Sequence, residues 1–197
     1  MASRRRQREA PAQRRERLTA AGVGEILDAA ARFLEARPRS VAEVRRRLIR
    51  AGYREAMVQA ALDRLTEVGY LDDDAFARAW VESRDRAKPR GERALRSELL
   101  AKGVDRAVIE LVLADRAARE ALGAVDADVS VDEAAAGRLL DRRRRALERE
   151  PDAARRRQKA YALLARNGFD PDVCRMVAAS VAAAAGPDGP DESPDGS

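Results

Sequence analysis

One pattern recurs three times along this chain and limits its fold more than any other feature. It is centred on Gly52, Gly103 and Gly168. A leucine stands four residues before each glycine: Leu48, Leu99 and Leu164. An apolar residue follows each: Tyr53, Val104 and Phe169. Apolar pairs come five and six residues later (Met57–Val58, Val108–Ile109, Val173–Cys174) and again nine and ten later (Ala61–Leu62, Val112–Leu113, Val177–Ala178). Those offsets share one face of an α-helix, so they predict a buried face. A glycine just past a helix end takes the left-handed conformation that closes the helix. Each copy therefore reads as helix, glycine turn, helix.

From Gly24 to Ala185 the apolar period stays near 3.6 residues, and Pro and Gly interrupt it. Nine helices are expected, at about 24–36, 40–51, 54–68, 72–87, 91–102, 105–120, 130–149, 152–167 and 170–185. They group in threes. The fold class expected is all-α: three tandem three-helix repeats, at 24–70, 71–120 and 128–185, in an elongated, curved array. A three-helix unit of this size is marginal alone, and stacking the units buries more apolar surface. The third repeat is enlarged, because the glycine spacing grows from 51 to 65 residues.

The ends differ in composition. Residues 1–22 form a basic arm, with seven arginines among the first twenty residues, and residues 186–197 form an acidic tail rich in Pro, Gly and Ser. Neither end holds enough apolar surface to offset the entropy of ordering it, so both are expected to be disordered. The charged N-terminus is followed by no apolar stretch, which predicts no secretory signal. No apolar run approaches the roughly 18 residues of a membrane span.

The absence of histidine excludes His-based nucleophilic triads, His metal ligands and His proton shuttles, and one cysteine in 197 residues excludes an internal disulfide. Cys174 fills the slot of Val58 and Ile109, which predicts a buried, inert thiol. There is no Gly-rich phosphate loop ending in Lys-Ser or Lys-Thr. No catalytic residue, metal or cofactor is expected, and a cytoplasmic setting fits the cysteine usage. Asp72-Asp73-Asp74 is read as a helix cap rather than a cation site, because adjacent residues on a helix diverge. The seven aromatics fall at core positions or beside turns, which predicts packing rather than base stacking. The third helices each carry net charge −1, which argues against a groove-reading helix-turn-helix.

Positive charge gathers on the second helices instead. The residues singled out are Arg45, Arg46 and Arg50 in the first repeat and Arg90, Arg93, Arg96 and Lys102 in the second. In the third they are Arg155, Arg156 and Lys159, preceded by Arg142, Arg143, Arg144 and Arg145. Equivalent helices align in a repeat array, so these residues predict a basic stripe. It is either a solvated face or an electrostatic surface for an acidic partner groove or for phosphates.

Several motifs resemble the RecX family of regulators of the RecA recombinase. Gly69-Tyr70-Leu71-Asp72-Asp73, Phe76-Ala77, Arg90-Gly91 and Glu98-Leu99 leading to Lys102-Gly103-Val104 are similar to its central signature. Arg39-Ser40-Val41, Glu43-Val44 and Leu48 with Gly52-Tyr53 resemble its first repeat, and Leu163 to Phe169 resembles its third. The resemblance implies a non-enzymatic monomer that lodges in the groove of the RecA filament on DNA. It implies inhibition of the recombinase, ATPase and coprotease activities in DNA repair, with DNA binding in some members. Two other readings stay open: a nonspecific DNA-binding protein acting through the arm and stripe, and a helical scaffold for another partner.

Overall fold

The computed structural model describes residues 11–123 and 129–183. The acidic tail and the first ten residues of the basic arm lie outside that range. Among the described residues the secondary structure is helical throughout, in ten helices. They are α1 (Pro11–Ala20), α2 (Val23–Leu34), α3 (Val41–Ala51), α4 (Glu55–Glu67) and α5 (Asp73–Ala87). After them come α6 (Glu92–Lys102), α7 (Arg106–Gly123), α8 (Val131–Glu148), α9 (Ala153–Arg166) and α10 (Pro171–Ala183). Helices α2 to α10 follow the nine expected segments. Helix α1 departs from the expectation of a disordered arm. Its leucine explains the difference: Leu18 and the following Ala21 are both buried, and Leu18 packs over Gly52. A ten-residue helix is marginal in isolation, so this docking sustains it, and one leucine makes no detectable period.

The three-fold pattern appears in the backbone. Gly52, Gly103 and Gly168 have φ of 105, 83 and 80°. The next residue returns its N–H to the leucine of the pattern: Tyr53 to Leu48 O (3.3 Å), Val104 to Leu99 O (3.2 Å) and Phe169 to Leu164 O (3.4 Å). The three leucines are buried, as are Val58, Ile109 and Cys174.

The chain divides into two compact units. One comprises Met1–Trp80 and Glu98–Val112; the other comprises Val81–Ser97 and Leu113–Ser197. The first packs Ile26, Ala30, Val44, Leu48, Val58 and Leu62 in its core, and the second packs Ala135, Leu139, Leu140, Leu164, Phe169 and Cys174. The middle repeat is shared, because α5, α6 and α7 each give one end to either unit.

Each unit is built around one joint between successive repeats. In the first, Ser40 Oγ donates to the Lys102 carbonyl (2.7 Å), and the Val41 N–H donates to Asp73 Oδ1 (2.9 Å). Ser40 also completes a capping box with Glu43, which starts α3. In the second, the Gly91 N–H donates to the Asn167 carbonyl (3.1 Å), and the Glu92 N–H donates to Asp132 Oδ2 (2.9 Å). Ser40 and Gly91 stand twelve residues before their own turn glycines. The acceptors also correspond: the residue before the next turn glycine, and an aspartate in the first turn of the next repeat. A Cβ on Gly103 would lie 2.4 Å from the Ala42 Cβ, and one on Gly168 would lie 2.4 Å from the Ala94 Cβ. The turn glycines thus admit the neighbouring helix as well as closing their own.

Candidate partner-binding surface

The second helices are α3, α6 and α9, and the structure separates their cations into two kinds. In the first unit, Arg45 pairs with Glu55 (2.5 Å) and Arg46 donates to the Lys102 carbonyl (3.1 Å). Lys102 is held between Glu43 (3.0 Å) and the face of Trp80, 4.6 Å from the ring centroid. It therefore reinforces the joint beside Ser40. Burial raises the Glu43 pKa, but the bonds from Lys102, Arg37 and the Ser40 N–H outweigh it and leave this carboxyl below its usual range. Arg50 is exposed and has no ion-pair partner among the described residues.

In the second unit, Arg90 donates to Asn167 Oδ1 (2.8 Å) and so supports the joint at Gly91. Arg96 pairs with Glu92 (2.6 Å), and Lys159 pairs with Glu150. Arg142 donates to the carbonyls of Arg86 and Ala87 (both 2.7 Å) and satisfies the C-terminal end of α5. Arg144 pairs with Asp141 (2.8 Å). Arg93, Arg143, Arg145 and Arg155 are exposed. Arg143 and Arg145 form no ion pair among the described residues. Arg156 departs from the expected stripe. It is 8% exposed and donates to the Glu150 carbonyl (3.3 Å), and its Nε is buried without an acceptor. It lies twelve residues before Gly168, the register at which Ser40 and Gly91 are buried. Counting back from the turn glycine would have found it.

A buried ion cluster in the second unit escaped the sequence reading. Arg116 is 5% exposed and bonds both oxygens of Asp85 (2.9 and 2.8 Å) and Asp132 Oδ1 (2.9 Å). Burial opposes its charge, but the two carboxylates outweigh it and raise its pKa. Asp132 serves the joint and the cluster together. Helical phase alone does not reveal such an arginine, because its partners come from other helices.

The three adjacent aspartates turn to three different tasks. Asp72 Oδ1 accepts the Asp74 and Ala75 N–H groups (2.8 and 3.0 Å), Asp73 holds Val41, and Asp74 pairs with Arg78 (2.5 Å). Burial raises the Asp73 pKa, as does the charge of Asp72, while the Val41 N–H lowers it in part. Among the described residues no group of His, Cys, Asp and Glu is placed to hold a metal ion. Burial also pushes the Cys174 thiol up, helped by Asp170. Of the aromatics, Phe169 and Phe76 are buried, whereas Tyr70 is 71% exposed and does not pack as expected. Among the described residues no helix is long and apolar enough to cross a membrane.

Glycine-closed three-helix domains in tandem, joined twice by one bonding scheme, define an all-helical repeat protein. The family model of the first three-helix domain of RecX matches residues 27–65, and that of the second matches residues 72–113. The regulatory protein RecX of Mycobacterium leprae (strain Br4923) is 37% identical over 153 residues, covering 77% of this chain and 83% of the relative. That of Mycobacterium sp. (strain JLS) is 43% identical over 141 residues, covering 70% and 71%. The chain belongs to the RecX family of regulatory proteins. The crystal structure of RecX from Lactobacillus salivarius shares the fold, with a TM-score of 0.65 at 16% identity over 81% of this chain and 96% of that one.

Proposed function

We propose that this protein binds the RecA recombinase filament and inhibits its recombinase, ATPase and coprotease activities, without catalysis or a cofactor of its own. Family membership supports the regulatory role. The observation that carries the mode of binding is the pair of exposed guanidinium groups at Arg143 and Arg145, which no carboxylate among the described residues neutralises. Arg142 anchors that stretch of α8 to the end of α5, whose last turn carries Arg84 and Arg86. Arg93 and Arg155 extend the exposed positive charge onto α6 and α9, and Arg50 places it on α3. A filament repeats its groove along its axis. Several modest contacts on successive protomers then add through effective concentration.

The test is RecA-dependent strand exchange and ATP hydrolysis titrated with the full chain and with Arg143→Glu/Arg145→Glu. Wild type lowers both rates. The double variant keeps its helicity and requires higher concentration for the same inhibition. Equal inhibition by both proteins refutes the assignment of these arginines. DNA binding measured at two salt concentrations tests the other reading. Affinity that falls steeply with salt, with no effect on RecA, makes the protein a nonspecific phosphate binder.

A further inference from the structure

A second cationic feature lies in the first unit, apart from the second-helix residues assigned above. Phe33, near the end of α2, has the Arg39 guanidinium carbon 4.3 Å from its ring centroid and that of Arg47 5.8 Å from it. Arg39 comes from the α2–α3 connection and Arg47 from α3. Neither pairs with a carboxylate among the described residues, and Arg39 Nε is buried without an acceptor. Beside Phe33 opens a pocket of about 300 Å³. Leu48 and Ala51 line it, with Phe33, Tyr53, Arg32 and Arg47. Arg32 is exposed and is likewise without an ion-pair partner among the described residues.

Arg50, Arg143 and Arg145 also lack a carboxylate among the described residues, but Arg32, Arg39 and Arg47 are gathered about one aromatic ring and its pocket. Other exposed arginines, such as Arg45, Arg64 and Arg144, do find carboxylates. Stacking on an aromatic ring holds a guanidinium fork in place, so less freedom is lost when it binds an anion. The pocket is at the small end of ligand sites and takes one side chain. Its apolar lining favours an aliphatic group, and its arginines favour negative charge beside that group. Nucleic acid fits less well. The Phe33 ring already carries Arg39, which removes the platform that a base needs for stacking. Carboxylates match the guanidinium fork and accompany apolar side chains in proteins.

We propose that this site binds an acidic peptide segment, with one apolar side chain in the pocket between Phe33 and Tyr53 and flanking carboxylates on Arg32, Arg39 and Arg47. The assignment goes beyond the filament reading and uses none of its residues. The probe is a fluorescein-labelled peptide with four acidic residues on either side of one leucine, titrated with the full chain at about 0.15 M salt. Fluorescence anisotropy reports binding. Replacing the leucine by glycine weakens it about tenfold, the scale of one buried aliphatic side chain. Arg32→Glu/Arg47→Glu weakens it at least about tenfold, with far-ultraviolet circular dichroism unchanged because both side chains are exposed. An oligothymidylate of equal charge binds less tightly than the leucine peptide. Absence of peptide binding, equal affinity for the glycine peptide, an unaffected double variant or tighter oligothymidylate binding each overturns the proposal. RecA is absent from this assay, so its outcome is separate from that of the filament reading.

Discussion

Gly91→Ala isolates the joint of the second unit. Gly91 is buried, and its φ is not in the left-handed region, so alanine meets no backbone strain there. The obstacle is contact. A Cβ would stand 2.3 Å from the Gly168 carbonyl oxygen and 2.4 Å from the Phe169 backbone. Those atoms belong to a turn fixed by its own hydrogen bond, from the Phe169 N–H to the Leu164 carbonyl. They do not swing aside as a side chain would. Overpacking of this kind costs about 1–3 kcal/mol. Displacement also weakens the Gly91 to Asn167 bond, for about 1 kcal/mol more. Alanine returns about 0.4–1 kcal/mol by restricting the unfolded chain. The net loss is about 1–3.5 kcal/mol. For a chain of this size that lowers the melting temperature by roughly 2–14 °C. Gly137→Ala is the control. Gly137 lies inside α8, and a Cβ added there would meet nothing within 4 Å, so alanine stabilises by about 0.5–1 kcal/mol. Thermal melts followed at 222 nm compare the two variants with wild type. If Gly91→Ala melts at or above wild type, the close approach at this joint is wrong.

Two further perturbations address the ionic parts of the joints. Arg116→Met leaves Asp85 and Asp132 facing a low-polarity site and is expected to cost about 3 kcal/mol, measured by urea denaturation; a loss below about 1 kcal/mol refutes the cluster. Glu43 is held below its unfolded value near 4.5, so the stability it contributes is present above that pH and is lost as pH falls through the folded value. Glu43→Gln lacks this contribution at every pH. The stability difference between the two proteins therefore narrows as pH falls below about 4.5, and a constant difference refutes the assignment.

The repeat was legible because its signals are local. A glycine, a leucine four residues earlier and a fixed apolar phase set up the same turn at Gly52, Gly103 and Gly168 without help from distant residues. Cys174 followed from that register alone. The cations were harder to read. Composition identified the basic segments, but it did not separate Arg143, which faces solvent, from Lys102, held between Glu43 and Trp80, or from Arg142, which serves the backbone of another helix. That distinction depends on carbonyls and carboxylates brought in from elsewhere in the fold. Arg156 is instructive, since its burial follows from the same register as Ser40 and Gly91. Its guanidinium chemistry argued for the surface, and the interior position shared with a serine and a glycine prevailed. Helix α1 was illegible for the opposite reason: its single buried leucine carries no period.

The joints are specified wholly by adjoining repeats, and the series is sealed at both ends. At the front, Leu18 covers the turn that would otherwise receive a preceding module. At the back, Arg156 occupies the coupling position and bonds to Glu150 of its own repeat. Growth by adding a fourth module at either end would have to dislodge a seal. Duplicating the middle segment in frame would not, since that segment carries both halves of the coupling, and a lengthened homologue is expected to have arisen in that way.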